Sequence, residues 1–319
     1  MEISRRDFFR YCSTSAAALG LSALDLGLLE KALAGPDASS VIWLQGSGCY
    51  GCSMSFLNRV STTAPMNAAD ALKNSVKLVY HPALMGAAGE AAVAAAKKAA
   101  TNPYVLVVEG GIPTAFDGAA CWAWTWSGKD VTFQEAVKEF ADRAAAIISV
   151  GTCAAFGGIP AAAPNPTEVK DVRTVTGKST INVSGCPPHP DWIVWTLAEC
   201  LINKAIPVDS LGRPKEFYGR RVHSQCPRED EGEARTFGAD GQCLERLGCR
   251  GPETRANCPK QLWNGGTNFC IEANAPCLGC TEPTFPGAEP FYTGGRDDQP
   301  EGASPFRRRR RRGKSDEKE

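Results

Sequence analysis

Of the fourteen cysteines in this 319-residue chain, all but Cys12, Cys121 and Cys200 stand where metal–sulfur chemistry would use them. The densest run is His223-Ser-Gln-Cys226, Cys243, Cys249, Cys258, Cys270 and Cys277-Leu-Gly-Cys280. Thiolates are the ligands of iron–sulfur clusters, and the residue types here sort into two sets. His223, Cys226, Cys243 and Cys249 offer one imidazole and three thiolates; Cys258, Cys270, Cys277 and Cys280 offer four thiolates. A neutral imidazole donates less charge than a thiolate, so the first set should have the higher potential or sit at a solvent-near exit. Disulfide scaffolds belong to short, core-poor chains, and this chain is neither. Several redox centres on one chain imply electron transfer, which needs a source and a sink.

A third set lies upstream. Cys49 and Cys52 follow a strand-like run, residues 41–44, through Gln-Gly-Ser-Gly. Cys153 follows residues 146–150 through Gly-Thr, and Cys186 follows residues 180–183 through Ser-Gly. All four fall just past the carboxyl ends of predicted parallel strands, where open α/β sheets bind ligands. The glycines let backbone approach a cluster and leave N–H groups free for sulfur. Four converging thiolates suit a [4Fe–4S] cluster. A Cys₄ zinc site also uses Cys-x-x-Cys, but zinc would not account for the two later sets. Cys121, at the end of a Gly/Pro/Ala-rich loop, reads as a non-ligand thiol, and Cys200 among Ala198, Leu201 and Ile202 as a buried one. His81 and His189 have no nearby cysteine partner. For His189 two readings stand: a proton or water route, or packing beside Pro187 and Pro190.

The elements that must position these residues alternate. Apolar, β-branched runs at 41–44, 76–80, 105–108, 146–150 and 180–183 predict strands. Residues 89–100 and 131–145 predict helices, the latter with Phe133, Val137, Phe140 and Ala144 on one face and a Thr132/Glu135 capping box. Asp191 is the expected cap of a further helix reaching about residue 203. This is the pattern of a doubly wound α/β domain with a mostly parallel sheet, over residues 35–205. After Pro207 the texture changes to Gly, Pro, Cys and charge. Residues 206–295 therefore read as an irregular C-terminal domain that leans on metal clusters or a partner.

The ends carry separate signals. Residues 4–10, Ser-Arg-Arg-Asp-Phe-Phe-Arg, form a twin-arginine pattern, followed by a weakly apolar stretch and Ala32-Leu33-Ala34 before Gly35. Asp25 and Glu30 inside that stretch would be costly in a bilayer, so residues 1–34 read as a removed export signal, directing the protein to the periplasm. Twin-arginine export carries folded proteins, which suits a chain that acquires cofactors first. After Gly35 no apolar run reaches about 18 residues, so no membrane span is expected in the mature chain. Residues 307–319 hold eight Lys/Arg against three Asp/Glu. Residues 296–319 read as a solvated, disordered basic tail, with RNA or anionic lipid the other reading. Hydrophobic content of 43% and charged content of 22% are ordinary for a globular protein, and a net charge of +0 gives no reason to expect nucleic acid.

Together these residues resemble the small subunit of the [NiFe] hydrogenases. The likeness rests on the signal, Cys49-Tyr-Gly-Cys52-Ser, Glu109-Gly-Gly-Ile-Pro113, Gly151-Thr-Cys153-Ala-Ala-Phe-Gly-Gly-Ile-Pro160, Gly185-Cys186-Pro-Pro-His-Pro-Asp-Trp192, Gly212-Arg-Pro214, His223-Ser-Gln-Cys226, Gly248-Cys249-Arg-Gly-Pro252, Asn257-Cys258, Trp263-Asn-Gly-Gly266 and Cys277-Leu-Gly-Cys280. The resemblance implies a flavodoxin-like domain with a proximal [4Fe–4S] cluster on Cys49, Cys52, Cys153 and Cys186. It implies a distal [4Fe–4S] cluster on His223, Cys226, Cys243 and Cys249, and a medial cluster on the remaining cysteines. The family's medial cluster is commonly [3Fe–4S], with a proline near the fourth ligand position. Cys270 stands there instead, implying three [4Fe–4S] clusters, as in the [NiFeSe] relatives this chain most resembles. Gly51 and Gly158 stand where oxygen-tolerant members carry two extra cysteines, so a standard proximal cluster is expected.

The implied activity is hydrogen oxidation, H₂ to two protons and two electrons. By resemblance the nickel–iron site lies in a separate large subunit, so this chain holds no catalytic residue of its own. It would pass electrons to an acceptor such as a multihaem cytochrome c, of the cytochrome c3 type. Many members continue into a C-terminal membrane helix, whereas this chain runs into a hydrophilic arginine tail. The alternative is an iron–sulfur electron-transfer subunit of another oxidoreductase. The quinone-linked cluster subunit of complex I shares the N-terminal likeness but lacks the His223–Cys280 region and the export signal. A non-redox, disulfide-stabilised secreted protein is a third reading, which iron and sulfide analysis would separate.

Overall fold

The computed structural model describes residues 40–60, 67–68, 76–202, 205–238 and 241–287. The export signal at 1–34 and the basic tail at 296–319 lie outside the described residues.

The chain opens with strand β1 (Ser40–Gln45), the helix Gly51–Leu57, β2 (Lys77–Tyr80), the helix Gly89–Ala99 and β3 (Tyr104–Glu109). A short β4 (Ile112–Pro113) and a hairpin of β5 (Trp122–Trp126) and β6 (Lys129–Thr132) follow, then the helix Phe133–Ala141 and β7 (Ala146–Val150). The helix Thr152–Phe156, β8 (Val169–Lys170), the helix Val172–Thr176, β9 (Ile181–Val183) and the helix Pro190–Leu201 complete the regular part. Five strands form one parallel sheet in the order β2-β1-β3-β7-β9.

The sheet is buried on both faces, which is why its strands read as continuous apolar runs. Every residue of β3 is buried. Alternation then sorts the core. Val41, Trp43, Val105, Val107, Ile148 and Val150 face Phe56 and the helix Pro190–Leu201. Ile42, Leu44, Leu106, Val108 and Ile147 face Ala92, Ala96, Val137 and Phe140. Each large side chain so buried contributes about 1.5–3 kcal/mol, and the helices this recruits fix the loops at the strand ends.

The capping box is present: Thr132 Oγ1 accepts the Glu135 N–H at 3.2 Å, and the Glu135 carboxylate accepts the Thr132 N–H at 2.9 Å. That helix starts at Phe133, not at residue 131, because Val131 pairs with Trp124 in the hairpin. The helix expected to start at Asp191 is capped instead by His189, whose Nδ1 accepts the Asp191 N–H at 3.1 Å, with Pro190 in its first turn. Imidazole nitrogen thus does what a carboxylate oxygen was expected to do.

Beyond residue 205 the structure is irregular, as the composition suggests. It holds the short helices Lys215–Tyr218 and Cys258–Gln261, single turns and isolated bridges. Its apolar residues Phe217, Tyr218, Leu244, Leu247, Phe269 and Ile271 nevertheless join the core that contains β1 and β3. Arg213, 1% exposed, holds the seam: it pairs with Asp209 and Glu282, each at 2.9 Å, and donates to the Thr281 carbonyl at 3.1 Å. Among the described residues no helix is long and apolar enough to cross a membrane.

Candidate metal centres

Cys49 and Cys52 sit where β1 turns into the helix Gly51–Leu57, Cys153 in the first turn after β7, and Cys186 just past β9. The structure brings these four thiols together. Burial pushes Cys52 far above the ordinary thiol value, and Glu109, Cys153, Cys186 and Cys49 add to the shift by charge. Burial first, then Cys186 and Cys49, pushes Cys153 up to about 12. The glycines are packed against sulfur. A Cβ on Gly151 (φ +88°) would lie 2.4 Å from Cys52 Sγ, and one on Gly158 (φ +54°) 3.1 Å from Cys153 Sγ.

Glu109, which opens one of the motifs that carry the resemblance, is a site residue whose role the sequence does not state. It is 2% exposed and closes a network behind Cys52. Its carboxylate accepts the N–H groups of Cys52 and Ser53, each at 3.1 Å, the Trp43 indole N–H at 3.0 Å, and the Ser53 hydroxyl. Ser53 Oγ also lies 3.0 Å from His81 Nε2, while His81 Nδ1 accepts the Ala83 N–H at 3.1 Å. Nδ1 is therefore the unprotonated nitrogen, and Nε2–H donates to Ser53. The available signal is a lone acid closing the apolar run Tyr-Val-Leu-Val-Val, together with a tryptophan that needs an acceptor when buried.

Cys258, Cys270, Cys277 and Cys280 converge on the other side of the seam. Burial pushes Cys258 up to about 12, helped by Cys277 and Cys270; burial does the same for Cys280, helped by Cys258 and Cys270. Cys226, Cys243 and Cys249 form the remaining thiol set, each raised by burial, with Cys249 also sensing Cys243 and Cys226. His223 joins them: its ligand atom and those of Cys243 and Glu245 lie within 4.8 Å of one another, and its N–H donates to the Gly251 carbonyl at 3.1 Å. Glu245 was not anticipated.

The three sets touch in sequence. Cys280 senses Cys186 of the strand-end set. The Cys277 N–H donates to Cys249 Sγ at 3.3 Å. Cys49 and Cys270 are exposed in the isolated chain. Cys121 packs against the opposite face of the sheet, and Cys200, in the core, is pushed up to about 12 by burial and then Glu199. His189 spends both nitrogens internally, Nε2 lying 2.7 Å from the Leu262 carbonyl, and packs between Trp192 and Trp263. It has a packing role.

Buried thiols with raised pKa values keep their protons unless a cation compensates the thiolate. Soft sulfur donors gathered in fours, with backbone N–H groups nearby, fit iron–sulfur clusters. The fold and its donor sets thus define an iron–sulfur protein on a parallel α/β sheet.

Residues 49–200 match the family model of the NADH ubiquinone oxidoreductase 20 kDa subunit, and residues 218–292 match the model for the C-terminal part of the NiFe/NiFeSe hydrogenase small subunit. The periplasmic [NiFeSe] hydrogenase small subunit of Desulfomicrobium baculatum is 40% identical over 92% of this chain and 99% of its own length. The periplasmic [NiFe] hydrogenase small subunit of Solidesulfovibrio fructosivorans is 41% identical over 92% and 94%. The structure of recombinant [NiFeSe] hydrogenase from Desulfovibrio vulgaris Hildenborough superposes with a TM-score of 0.75 at 40% identity, covering 82% of this chain and 99% of that one. The chain belongs to the NiFe/NiFeSe hydrogenase small-subunit family.

Proposed function

We propose that this chain is the electron-transfer subunit of a periplasmic hydrogenase and carries three [4Fe–4S] clusters. The proximal would sit on Cys49, Cys52, Cys153 and Cys186, the medial on Cys258, Cys270, Cys277 and Cys280, and the distal on His223, Cys226, Cys243 and Cys249. Bound clusters would supply one-electron redox chemistry. The observation that carries the reading is the end-to-end contact of the three donor sets, Cys186 beside Cys280 and Cys277 against Cys249. A four-iron medial cluster is supported by Cys270 lying with Cys258 and Cys280.

The fold's own contribution is to hold and exclude. Its strand order, β2-β1-β3-β7-β9, renumbered along the sheet is 2-1-3-4-5, which supports a flavodoxin-like description. The residue division at about 206 follows the end of the helical part, while packing is continuous across it. Exposed Cys49, Tyr50 and Met54 lie at the first two ligands of the proximal set, a face suited to a large subunit bearing the nickel–iron site. At the other end His223 lies 3.9 Å from exposed Glu229, and the resemblance to the family supports an acceptor such as a multihaem cytochrome c of the cytochrome c3 type. Periplasmic placement is supported by the twin-arginine pattern and by the names of relatives.

The test is to purify the chain with its co-expressed large subunit without air and assay hydrogen-dependent reduction of a viologen dye. Uptake that ceases when the small subunit is omitted is expected. A brown, cluster-loaded complex that reduces dye with another donor and never with hydrogen would favour the other-oxidoreductase reading.

A further inference from the structure

The seam between the proximal and medial donor sets is closed by a hydroxyl that no cluster needs as a ligand. Thr152, 1% exposed, lies immediately before Cys153. Its Oγ1 accepts the N–H of Gly185, the residue before Cys186, at 2.9 Å. The same hydroxyl donates to the carbonyl oxygen of Cys280, and the Thr152 N–H donates to the Gly185 carbonyl at 2.9 Å. One side chain therefore ties the loop of Cys186 to the backbone of Cys280. Ser184 adds a parallel stitch, its Oγ donating to the Thr281 carbonyl at 2.8 Å.

We propose that Thr152 is a positioning residue for electron transfer, its hydroxyl clasping the Cys186 loop onto Cys280 and so setting the gap between the proximal and medial donor sets. The inference rests on the donor sets assigned above. The second gap is held by contacts that do not involve Thr152. There the Cys277 N–H bonds Cys249 Sγ at 3.3 Å and the Arg250 N–H bonds the Cys277 carbonyl at 2.7 Å, while Thr254 Oγ1, 3.6 Å from Cys277 Sγ, donates to the Arg250 carbonyl at 2.6 Å. With clusters bound on these donor sets, each transfer would take one electron from the reduced proximal centre, oxidising it, and reduce the medial centre by one, with no bond made or broken. Threonine's methyl group is not the working part. Removing the hydroxyl strands a buried carbonyl and a buried N–H, and water or a backbone shift must then widen the seam.

The experiment uses the anaerobically purified heterodimer with Thr152→Val, Thr152→Ser and Ser184→Ala. The oxidised complex is mixed with hydrogen, freeze-quenched, and followed by EPR for the reduced proximal and medial signals and the spin–spin splitting between them. Thr152→Val is expected to show the proximal signal at the wild-type rate, the medial signal delayed several-fold, and a weakened splitting. Thr152→Ser should restore both, and redistribution from medial to distal should be unchanged throughout. If Thr152→Val does not load clusters, Ser184→Ala carries the test, with a smaller delay in the same direction. Full cluster loading with wild-type splitting and transfer rate in Thr152→Val, or in Ser184→Ala where that variant stands in, overturns the inference. Absence of three cluster signals in the wild type would instead overturn the donor-set assignment on which it rests.

Discussion

Two glycines at positive φ, Gly177 in the left-handed helical region and Gly151 in an extended region adopted essentially by glycine alone, compare backbone strain with strain plus the crowding of a ligand. Gly151 (φ +88°) caps the helix Thr152–Phe156, and Gly177 (φ +67°) ends the helix Val172–Thr176. An alanine at either must adopt a conformation that L side chains rarely take, at about 1–3 kcal/mol. The surroundings differ. At Gly177 an added Cβ meets nothing within 4 Å, whereas at Gly151 it would sit 2.4 Å from Cys52 Sγ. That distance is more than an ångström inside the optimal separation of about 3.5–4.0 Å between non-bonded heavy atoms. Cys52 cannot retreat cheaply, since its N–H is held by Glu109 at 3.1 Å. Gly177→Ala should therefore lower the thermal midpoint of the assembled complex while leaving all clusters in place. Gly151→Ala should lose the proximal cluster, dropping acid-labile sulfide from about twelve to about eight per chain, the loss expected for one cubane of three. The assay is sulfide analysis with EPR of the dithionite-reduced complex. A Gly151→Ala complex with wild-type sulfide and an unchanged proximal signal would refute the reasoning.

Other perturbations test other parts. Cys270→Pro should turn the medial centre into a three-iron cluster with a raised potential, seen as a new EPR signal in the oxidised state. Glu109→Gln keeps an acceptor for the Cys52 and Ser53 N–H groups but turns an amide toward the Trp43 indole N–H, so stability should fall by about 1–3 kcal/mol, read as a lower thermal midpoint. Thr132→Ala removes the capping hydroxyl and should cost about 1 kcal/mol with sulfide content unchanged. Burial lowers His81 from 6.5 to about 4. Between those values the unfolded chain binds the proton and the folded one does not, so stability is full above pH 6.5 and declines as pH falls toward 4. The loss is at most about 3 kcal/mol at 1.36 kcal/mol per unit. His81→Gln should flatten that decline, as measured by thermal midpoint against pH.

The parallel strands were legible because β-branched runs buried on two faces carry no competing polar signal. The strand-end cysteines were legible because glycines preceded each one. Grouping in the C-terminal region follows chain order, on the expectation that ligands of one centre are near neighbours in sequence. Contacts between sets were not legible: the Cys277–Cys249 bond joins residues 28 apart in an irregular region. Nor were Glu109 and Thr152, which work through hydrogen bonds to partners that only the fold brings near. The hairpin was missed although Trp-Ala-Trp-Thr-Trp alternates with period two before Ser127-Gly128, because the Gly/Ala-rich residues ahead of it read as loop. His189 was missed as a cap because aspartate two residues on is the commoner capping type.

Three sulfide-bearing centres held by one polypeptide are the core of the proposed function. Acid-labile sulfide, measured on anaerobically purified complex and normalised to this chain, tests them most directly, since the partner's nickel–iron site contributes none. About twelve sulfides per chain are predicted for three four-iron centres. A value near zero, or one that stays near four with all the thiols free to alkylation, would contradict the proposal.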